Sequence, residues 1–198
     1  EILFTELGLQ CKTISYDRPI EEHITLFKQF RPEVIYTMPS ILDRLIVAAE
    51  NPAAYGVKKI ILVGEIASRE WQRQVAQAFA ITPNDIFDTY GSIEIGTIAA
   101  FLHELDRYVL VDSLYGEGVR PDKIGLDDVT LRDDETILVL TSWVREKFPA
   151  LRFVTYDVVR DLRTIEIDGK PVQSFRSIVK RVGHEWKHGE KISIYDIE

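Results

Sequence analysis

The sequence has few of the features that mark secreted, membrane-spanning or nucleic-acid-binding proteins. Its single cysteine, Cys11, excludes an internal disulfide framework and fits a reducing compartment. No apolar run is long enough to span a bilayer. The formal net charge is −8 and the cationic residues do not cluster beyond the short pair Lys180-Arg181, so the sequence lacks the electrostatic footprint of a nucleic-acid-binding protein. We therefore expect a cytoplasmic protein with no membrane partner and no nucleic-acid partner.

Glycine-rich loops are also missing. The 11 glycines are scattered over 198 residues, and no G-x-x-x-x-G-K pattern occurs. Loops of that kind hold phosphates through clustered backbone N–H groups. The sequence thus offers no phosphate-binding loop, although its 45% hydrophobic content can fill the core of one large domain or two small lobes.

Up to about residue 100, amphipathic helical patterns alternate with short apolar runs. Helices are predicted over residues 21–30, from about Ser40, and over residues 68–80, with the Ser40 and Ser68 hydroxyls as N-caps. The runs V-I-Y-T, K-I-I-L-V and D-I-F-D-T are predicted as strands between them. Strands separated by single helices favour a parallel, helix-flanked sheet, with ligands at the carboxyl ends of its strands.

After residue 100 the apolar pattern changes to period two, which predicts antiparallel strands. Turn signals separate them, such as Asp133-Asp134 and Asp168-Gly169. We therefore predict an α/β fold in which a parallel helix-flanked sheet is followed by an antiparallel β-barrel-like lobe. The predicted division is an α/β lobe over residues 1–100, an antiparallel lobe over 101–182, and a hinge with the start of a further domain over 183–198.

The stretch over residues 88–96, D-T-Y-G-S-I-E-I-G, predicts a nucleotide site. Tyr90 can stack on a flat base, and a tight turn at Gly91 would let backbone approach a ligand closely. Glu94 can hold a hard cation such as Mg²⁺ through oxygen. The same letters also occur in ordinary surface turns, so the stretch alone leaves both interpretations open.

Five segments in a fixed order together resemble the AMP-forming adenylating enzymes, and within them the branch of phenylacetate–CoA ligase. The resemblance implies part of the N-terminal domain of such an enzyme, with an adenylate site between its lobes. The segments are F-R-P-E-V-I-Y-T-M-P-S at 30–40, I-L-V-G-E at 61–65, Y-G-S-I-E at 90–94, I-L-V-L-T with F-P-A-L-R-F-V-T-Y-D at 137–157, and G-E-K-I-S-I-Y-D-I-E at 189–198.

The resemblance implies a role for each matching residue. The backbone of Gly64 and Glu65 would line the adenine pocket, and Tyr90 would pack on adenine beside Gly91. Asp157 would accept hydrogen bonds from both ribose hydroxyls, which suits a carboxylate with two acceptor oxygens. The residues with other implied roles are Ser92 near the acyl phosphate, Glu94 on Mg²⁺, Arg152 in the ribose motif, and Tyr36, Ile66, Ala67, Ile95 and Gly96 as walls of the acid pocket.

The ribose motif departs from the family pattern. The usual R-Y-R-T-G-D is R-F-V-T-Y-D in this chain, so that Val154 replaces the second arginine and Tyr156 replaces the glycine. A ribose site is therefore expected in altered form.

The expected function is that of an AMP-forming ligase, which activates a carboxylic acid, here an aryl acid, as an acyl adenylate and passes it to CoA. ATP or AMP, Mg²⁺ and CoA are the implied cofactors. The alternative is a homologue that binds an adenylate or aryl acid without turnover. The resemblance also implies a piece of a longer protein, because the phosphate loop and the lysine of the C-terminal domain have no match, and the piece alone is not expected to complete the reaction. The sequence allows a homodimer.

A competing motif lies near the end of the sequence. His184 to His188 reads H-E-W-K-H, which matches the H-E-x-x-H pattern of zinc hydrolases. That pattern works only on a helix, whereas Gly183 and Gly189 flank it here and the neighbouring runs are strand-like. A zinc hydrolase that uses His184, Glu185 and His188 is therefore the least favoured of the three functions.

Overall fold

A computed structural model describes residues 2–144 and 149–182, and it divides the chain into two compact units, Glu1–Thr89 and Tyr90–Glu198. The division lies earlier in the chain than the change of apolar pattern at residue 100. The H-E-W-K-H motif and the predicted hinge at 183–198 lie outside the described residues. No helix in the described ranges is both long and apolar enough to cross a membrane.

The first unit is the predicted parallel, helix-flanked sheet. Strand β2 lies between β1 and β3, with Ile60 opposite both Ile35 and Ile86, and both pairings are parallel. The three strands end at the same edge, which carries the segments that follow Thr37 and Leu62. The elements are helices α1 (Ile2–Glu6), α2 (Ile20–Phe30), α3 (Pro39–Ala48) and α4 (Arg69–Phe79), and strands β1 (Val34–Thr37), β2 (Lys59–Leu62) and β3 (Ile86–Ser92).

Apolar side chains from the sheet and helices form one core in this unit. A fully buried aliphatic or aromatic side chain contributes about 1.5–3 kcal/mol to stability, so this cluster holds α2, α3 and α4 against the strands. The sheet contributes Ile35, Ile60, Leu62 and Ile86, and the helices contribute Phe27, Leu42, Leu45, Val75, Ala76 and Phe79.

The helix N-termini confirm one capping prediction and correct the other. Ser68 caps α4 by accepting a hydrogen bond from the Trp71 N–H. Ser40 is not a cap, because α3 begins at Pro39 after Met38. Instead, the Glu65 carboxylate accepts hydrogen bonds at 2.8 Å from both the N–H and the hydroxyl of Ser40. An anion is favoured there because the first helical N–H groups have no partner within the helix.

The second unit consists of two antiparallel sheets, which confirms the predicted antiparallel lobe. One sheet has the order β4-β5-β10-β9, and the other has the order β11-β8-β7-β6. The strands are β4 (Gly96–Leu102), β5 (Arg107–Leu110), β6 (Leu114–Val119), β7 (Glu135–Ser142), β8 (Phe153–Arg160), β9 (Arg163–Ile167), β10 (Lys170–Phe175) and β11 (Ser177–Arg181).

Both sheets of this unit share one hydrophobic core. Its buried members include Ile98, Phe101, Tyr108, Leu138, Leu140, Val159 and Phe175. A side chain also joins the sheets: the Gln173 amide on β10 accepts from the Gly116 N–H at 2.7 Å and donates to the Gly116 carbonyl at 2.8 Å on β6. This contact gives the backbone of β6 a hydrogen-bonding partner from the other sheet.

A buried arginine fixes the end of β8 to β5 and β10. The Arg107 side chain is almost fully buried; it donates to the Asp161 carboxylate at 2.6 Å and to the Ser174 hydroxyl at 2.9 Å. The hydrogen bond from Arg107 lowers the pKa of Asp161. The ion pair therefore stabilises the folded state above the ordinary aspartate pKa.

We expect Asp161→Asn to lower the free energy of unfolding at pH 7 by about 1–3 kcal/mol, because a buried guanidinium loses a charged partner. Because the folded-state pKa of Asp161 is depressed, its contribution is present above the unfolded pKa of about 4 and is lost as the pH falls through the folded value. Urea unfolding of both proteins at pH 7 and pH 3 measures this. Asp168→Asn, in the exposed β9–β10 turn, is the control. If Asp161→Asn lowered the free energy of unfolding by the same amount at pH 7 and at pH 3, the stabilising ion pair between Arg107 and Asp161 would be contradicted.

Candidate functional site

The Y-G-S stretch is part of strand β3, and the turn follows it. The predicted turn at Gly91 is therefore wrong: β3 continues to Ser92, and residues 93–95 make the turn into β4. A Cβ atom on Gly91 would lie 2.6 Å from the carbonyl oxygen of Gly96. Glycine is required here by the close approach of two strands, and the φ of 87° at Gly96 suits glycine at the end of the turn.

Tyr90 and Asp157, which are 67 positions apart in the sequence, form a direct hydrogen bond. The Tyr90 hydroxyl donates to Asp157 Oδ2 at 2.5 Å. The Tyr90 ring packs edge-on against Phe175, with the ring centroids 6.0 Å apart. Burial raises the pKa of Tyr90, and the negative charge of Asp157 raises it further. The phenol therefore stays protonated at neutral pH and remains a donor to the carboxylate.

A β-bulge aims Asp157 at this position. Ile137 pairs with Val158 and Val139 with Val154, so the residues 155–157 face a single residue of β7. The buried Thr155 hydroxyl donates to the Leu138 carbonyl at 2.8 Å and accepts from the Asp157 N–H at 3.1 Å. Bulges commonly re-aim a side chain beside a functional site.

Arg181 stands beside the same carboxylate. It is opposite Asp157 in the pairing of β11 with β8, and its Nε lies 3.8 Å from Asp157 Oδ1. The Arg181 side chain is half exposed, whereas that of Asp157 is 15% exposed. Neither Arg181 nor Thr155 was predicted from the sequence as a site residue. The signal for Arg181 was the basic pair Lys180-Arg181 at the end of a predicted strand, but the strand register that brings it to Asp157 cannot be read from the sequence.

The altered ribose motif keeps an unusual backbone conformation. Tyr156, which replaces the glycine of the resembled motif, has a φ of 62°. That conformation is open to glycine at no steric cost and is rare for a bulky residue. Tyr156 therefore has a backbone conformation that glycine would adopt without strain.

Arg152 has partners other than Asp157. Its Nε lies 3.2 Å from Glu117 Oε2, and its backbone N–H donates to the Thr141 hydroxyl at 3.1 Å. Arg152 thus joins the start of β8 to β6 and β7. Its predicted place in the ribose site remains a prediction.

Ser92 ends strand β3, and Glu94 lies in the β3–β4 turn that follows. The Ser92 hydroxyl accepts a hydrogen bond from the Ile95 N–H at 3.2 Å, which holds the turn, and the Glu94 side chain is exposed. Within residues 2–144 and 149–182, no three His, Cys, Asp or Glu side chains are grouped as a metal site. An exposed single carboxylate fits the way Mg²⁺ is usually held, by one or two carboxylates together with waters and the phosphates of a substrate.

In the first unit, Gly64 and Glu65 follow β2 at the carboxyl edge of the sheet. Gly64 has a φ of 79°, a left-handed conformation that favours glycine, and both residues are exposed. The buried Gln72 amide donates to the Ala67 carbonyl at 2.9 Å and to Asp88 Oδ2 at 3.2 Å. These hydrogen bonds tie the segment that follows Glu65 to strand β3.

The five predicted wall residues fall into two classes. Ala67 and Ile95 lie in the hydrophobic cores of their units. Tyr36, Ile66 and Gly96 are exposed, with 60% of the Tyr36 surface accessible. Only the exposed class has surface that a ligand could contact in this conformation.

Comparison with known proteins found one curated relative and many similar structures. No protein-family model matches the chain. The chain is 40% identical over 195 residues to fumarate–(S)-2,3-diaminopropanoate ligase from Enterobacter agglomerans; the match covers 98% of this chain and 48% of that protein. The chain thus spans about half the length of this relative.

The fold recurs in solved acid–CoA ligases. One is 2-hydroxyisobutyryl-CoA ligase in an open conformation with 2-HIB-AMP and CoA, at a TM-score of 0.66 and 18% identity over 82% of this chain and 39% of that one. Another is a benzoate CoA ligase from Burkholderia xenovorans, at a TM-score of 0.54 and 14% identity over 83% of this chain and 35% of that one. At these identities the likeness shows the fold alone.

The relative establishes a relationship to a ligase over nearly the whole chain, and the similar structures establish a fold shared with enzymes that hold an acyl-AMP. Together with the motifs and their order, these findings agree with the resemblance stated from the sequence: the chain has a ligase homologue over nearly its whole length and shares its fold with solved acid–CoA ligases.

Proposed function

We propose that this chain supplies the nucleoside-binding part of an AMP-forming ligase that activates a carboxylic acid as its acyl adenylate. The observation that carries the proposal is the hydrogen bond between Tyr90 and Asp157. Two residues that the family motifs assign to one nucleoside are far apart in the sequence and adjacent in the fold.

Asp157 is suited to hold the two ribose hydroxyls. The Tyr90 hydroxyl donates one hydrogen bond to Oδ2, and the Arg181 guanidinium lies near Oδ1. An ionised carboxylate has about four acceptor positions on its two oxygens. A carboxylate can therefore accept hydrogen bonds from both hydroxyls of a ribose. The Tyr90 hydroxyl and the bulge at Thr155 fix the orientation of the Asp157 carboxylate.

Ser92 and Glu94 are proposed to act on the reacting end of the ligand. Glu94 would bind Mg²⁺, which would screen the phosphate charge when bound. The Ser92 hydroxyl, at the start of the same turn, would donate to the acyl phosphate. Gly64 and Glu65 keep the adenine-pocket role that the sequence resemblance implies.

A small dicarboxylic acid such as fumarate, joined to an amine, is our first candidate reaction. It is supported by the 40% identity to fumarate–(S)-2,3-diaminopropanoate ligase. The second candidate is an aryl acid joined to CoA, which the motif resemblance to the phenylacetate–CoA ligase branch favours. A homologue that binds an adenylate without turnover is the remaining alternative, favoured by the altered ribose motif at Val154 and Tyr156.

We expect Asp157→Ala to weaken AMP binding at least tenfold, because each hydrogen bond to the carboxylate contributes about 1.5–3 kcal/mol. Isothermal calorimetry with AMP measures the change. Asp133→Ala, which removes an exposed carboxylate from the same unit, is the matched control and should bind AMP normally. Equal AMP affinity in the Asp157 and Asp133 variants would refute the ribose assignment.

We expect carboxylate-dependent release of pyrophosphate from ATP by the full gene product that contains this chain, with fumarate more effective than benzoate. Product analysis with (S)-2,3-diaminopropanoate and with CoA then identifies the acceptor.

Glu94→Gln should slow pyrophosphate release about 10²-fold or more, as loss of one charge-stabilising group does at comparable sites, and leave Mg²⁺-free AMP binding unchanged. AMP binding without release for any acid would favour the non-catalytic homologue.

A further inference from the structure

Tyr156 has a backbone conformation that is unusual for its residue type. Its φ of 62° lies in the left-handed region, where a Cβ atom costs about 1–2 kcal/mol. The other non-glycine residues with positive φ in the described ranges end helices or lie in turns and bends, whereas Tyr156 lies inside strand β8. Strain of this kind persists only where the surroundings impose it, and it is concentrated at functional sites.

The bulge imposes the conformation. Thr155 is fixed to β7 through the Leu138 carbonyl, and the Asp157 N–H is fixed to the Thr155 hydroxyl. On the other side, the Val182 N–H donates to the Tyr156 carbonyl at 2.8 Å. The backbone of Tyr156 is therefore held on both sides, whichever side chain it carries.

Packing of the ring does not account for tyrosine at this position. The Tyr156 residue keeps 41% of its surface exposed, so burial offsets only part of the strain. Glycine fits the same φ without strain. A large, partly exposed ring at a position suited to glycine calls for a function outside the folded chain itself.

The chemistry next to the ring suits a nucleoside. Asp157 is the next residue, with Oδ2 bound to the Tyr90 hydroxyl and Oδ1 near Arg181. The carboxylate and the partly exposed aromatic ring thus belong to consecutive residues of the bulge. Flat heterocycles and sugar rings pack on such surfaces, and aromatic contacts contribute about 0.5–1.5 kcal/mol beyond the area they bury.

We propose that Tyr156 is a nucleotide-binding residue whose ring packs against the nucleoside held by Asp157. The inference rests on the proposed function, since it assumes that Asp157 binds the ribose. It adds a contact that a glycine at this position cannot make.

Three variants separate the ring from the backbone conformation. Tyr156→Gly and Tyr156→Asn remove the ring and tolerate positive φ, and Tyr156→Phe keeps the ring without its hydroxyl. Calorimetry with AMP is run on each variant of this chain, with Asp157→Ala as the reference for loss of the ribose contact. Thermal unfolding of each variant verifies that it is folded.

AMP binding about threefold to tenfold weaker in the glycine and asparagine variants, with Tyr156→Phe within about twofold of the unaltered chain, supports the inference. Unweakened AMP binding in folded Tyr156→Gly and Tyr156→Asn, alongside the expected loss in Asp157→Ala, overturns it and leaves the proposed function standing. Failure of the unaltered chain to bind AMP, or normal binding by Asp157→Ala, contradicts the proposed function and this inference together.

Discussion

The candidate nucleoside site depends on the hydrogen bond between the Tyr90 hydroxyl and the Asp157 carboxylate. Each partner is fixed by a different part of the second unit. The Tyr90 ring rests on Phe175 of β10, and Asp157 projects from the bulge of β8. Because burial and the adjacent carboxylate both raise the pKa of Tyr90, the donor is retained at neutral pH. The carboxylate is thus oriented before any ligand arrives, which lowers the cost of ordering it on binding.

The bulge of β8 holds the candidate ribose carboxylate and the residue before it. Thr155 donates to the Leu138 carbonyl, and the Asp157 N–H donates to the Thr155 hydroxyl. Tyr156 lies between them with a φ of 62°, a conformation that glycine adopts at no steric cost. The direction of Asp157 is therefore set by the backbone contacts of the bulge, and the exposed part of Tyr156 is surface that a glycine would lack.

Local periodicity was enough to predict the three parallel strands, their helices and the Ser68 cap, since each depends on neighbours within a few residues. Ser40 was assigned wrongly because its partner, Glu65, is 25 positions away. The turn was misplaced at Gly91 because glycine there serves a close strand contact and not a positive φ. Arg181 could not be found from the sequence because its approach to Asp157 depends on the register of β11 on β8, in which a bulge intervenes. The Tyr90–Asp157 contact was accessible only through the family resemblance, which assigned both residues to one ligand.

A double-mutant cycle on AMP affinity tests the central claim most directly, using Tyr90→Phe, Asp157→Asn and the two combined, with calorimetry on each. If the Tyr90 hydroxyl acts by orienting the carboxylate, Tyr90→Phe weakens AMP binding in a chain that retains Asp157. It has no further effect in a chain that carries Asp157→Asn. The predicted coupling is about 0.5–3 kcal/mol, the range found for residues in direct contact. Losses that simply add in the double variant would show that the two side chains act independently, and would contradict this account of the site.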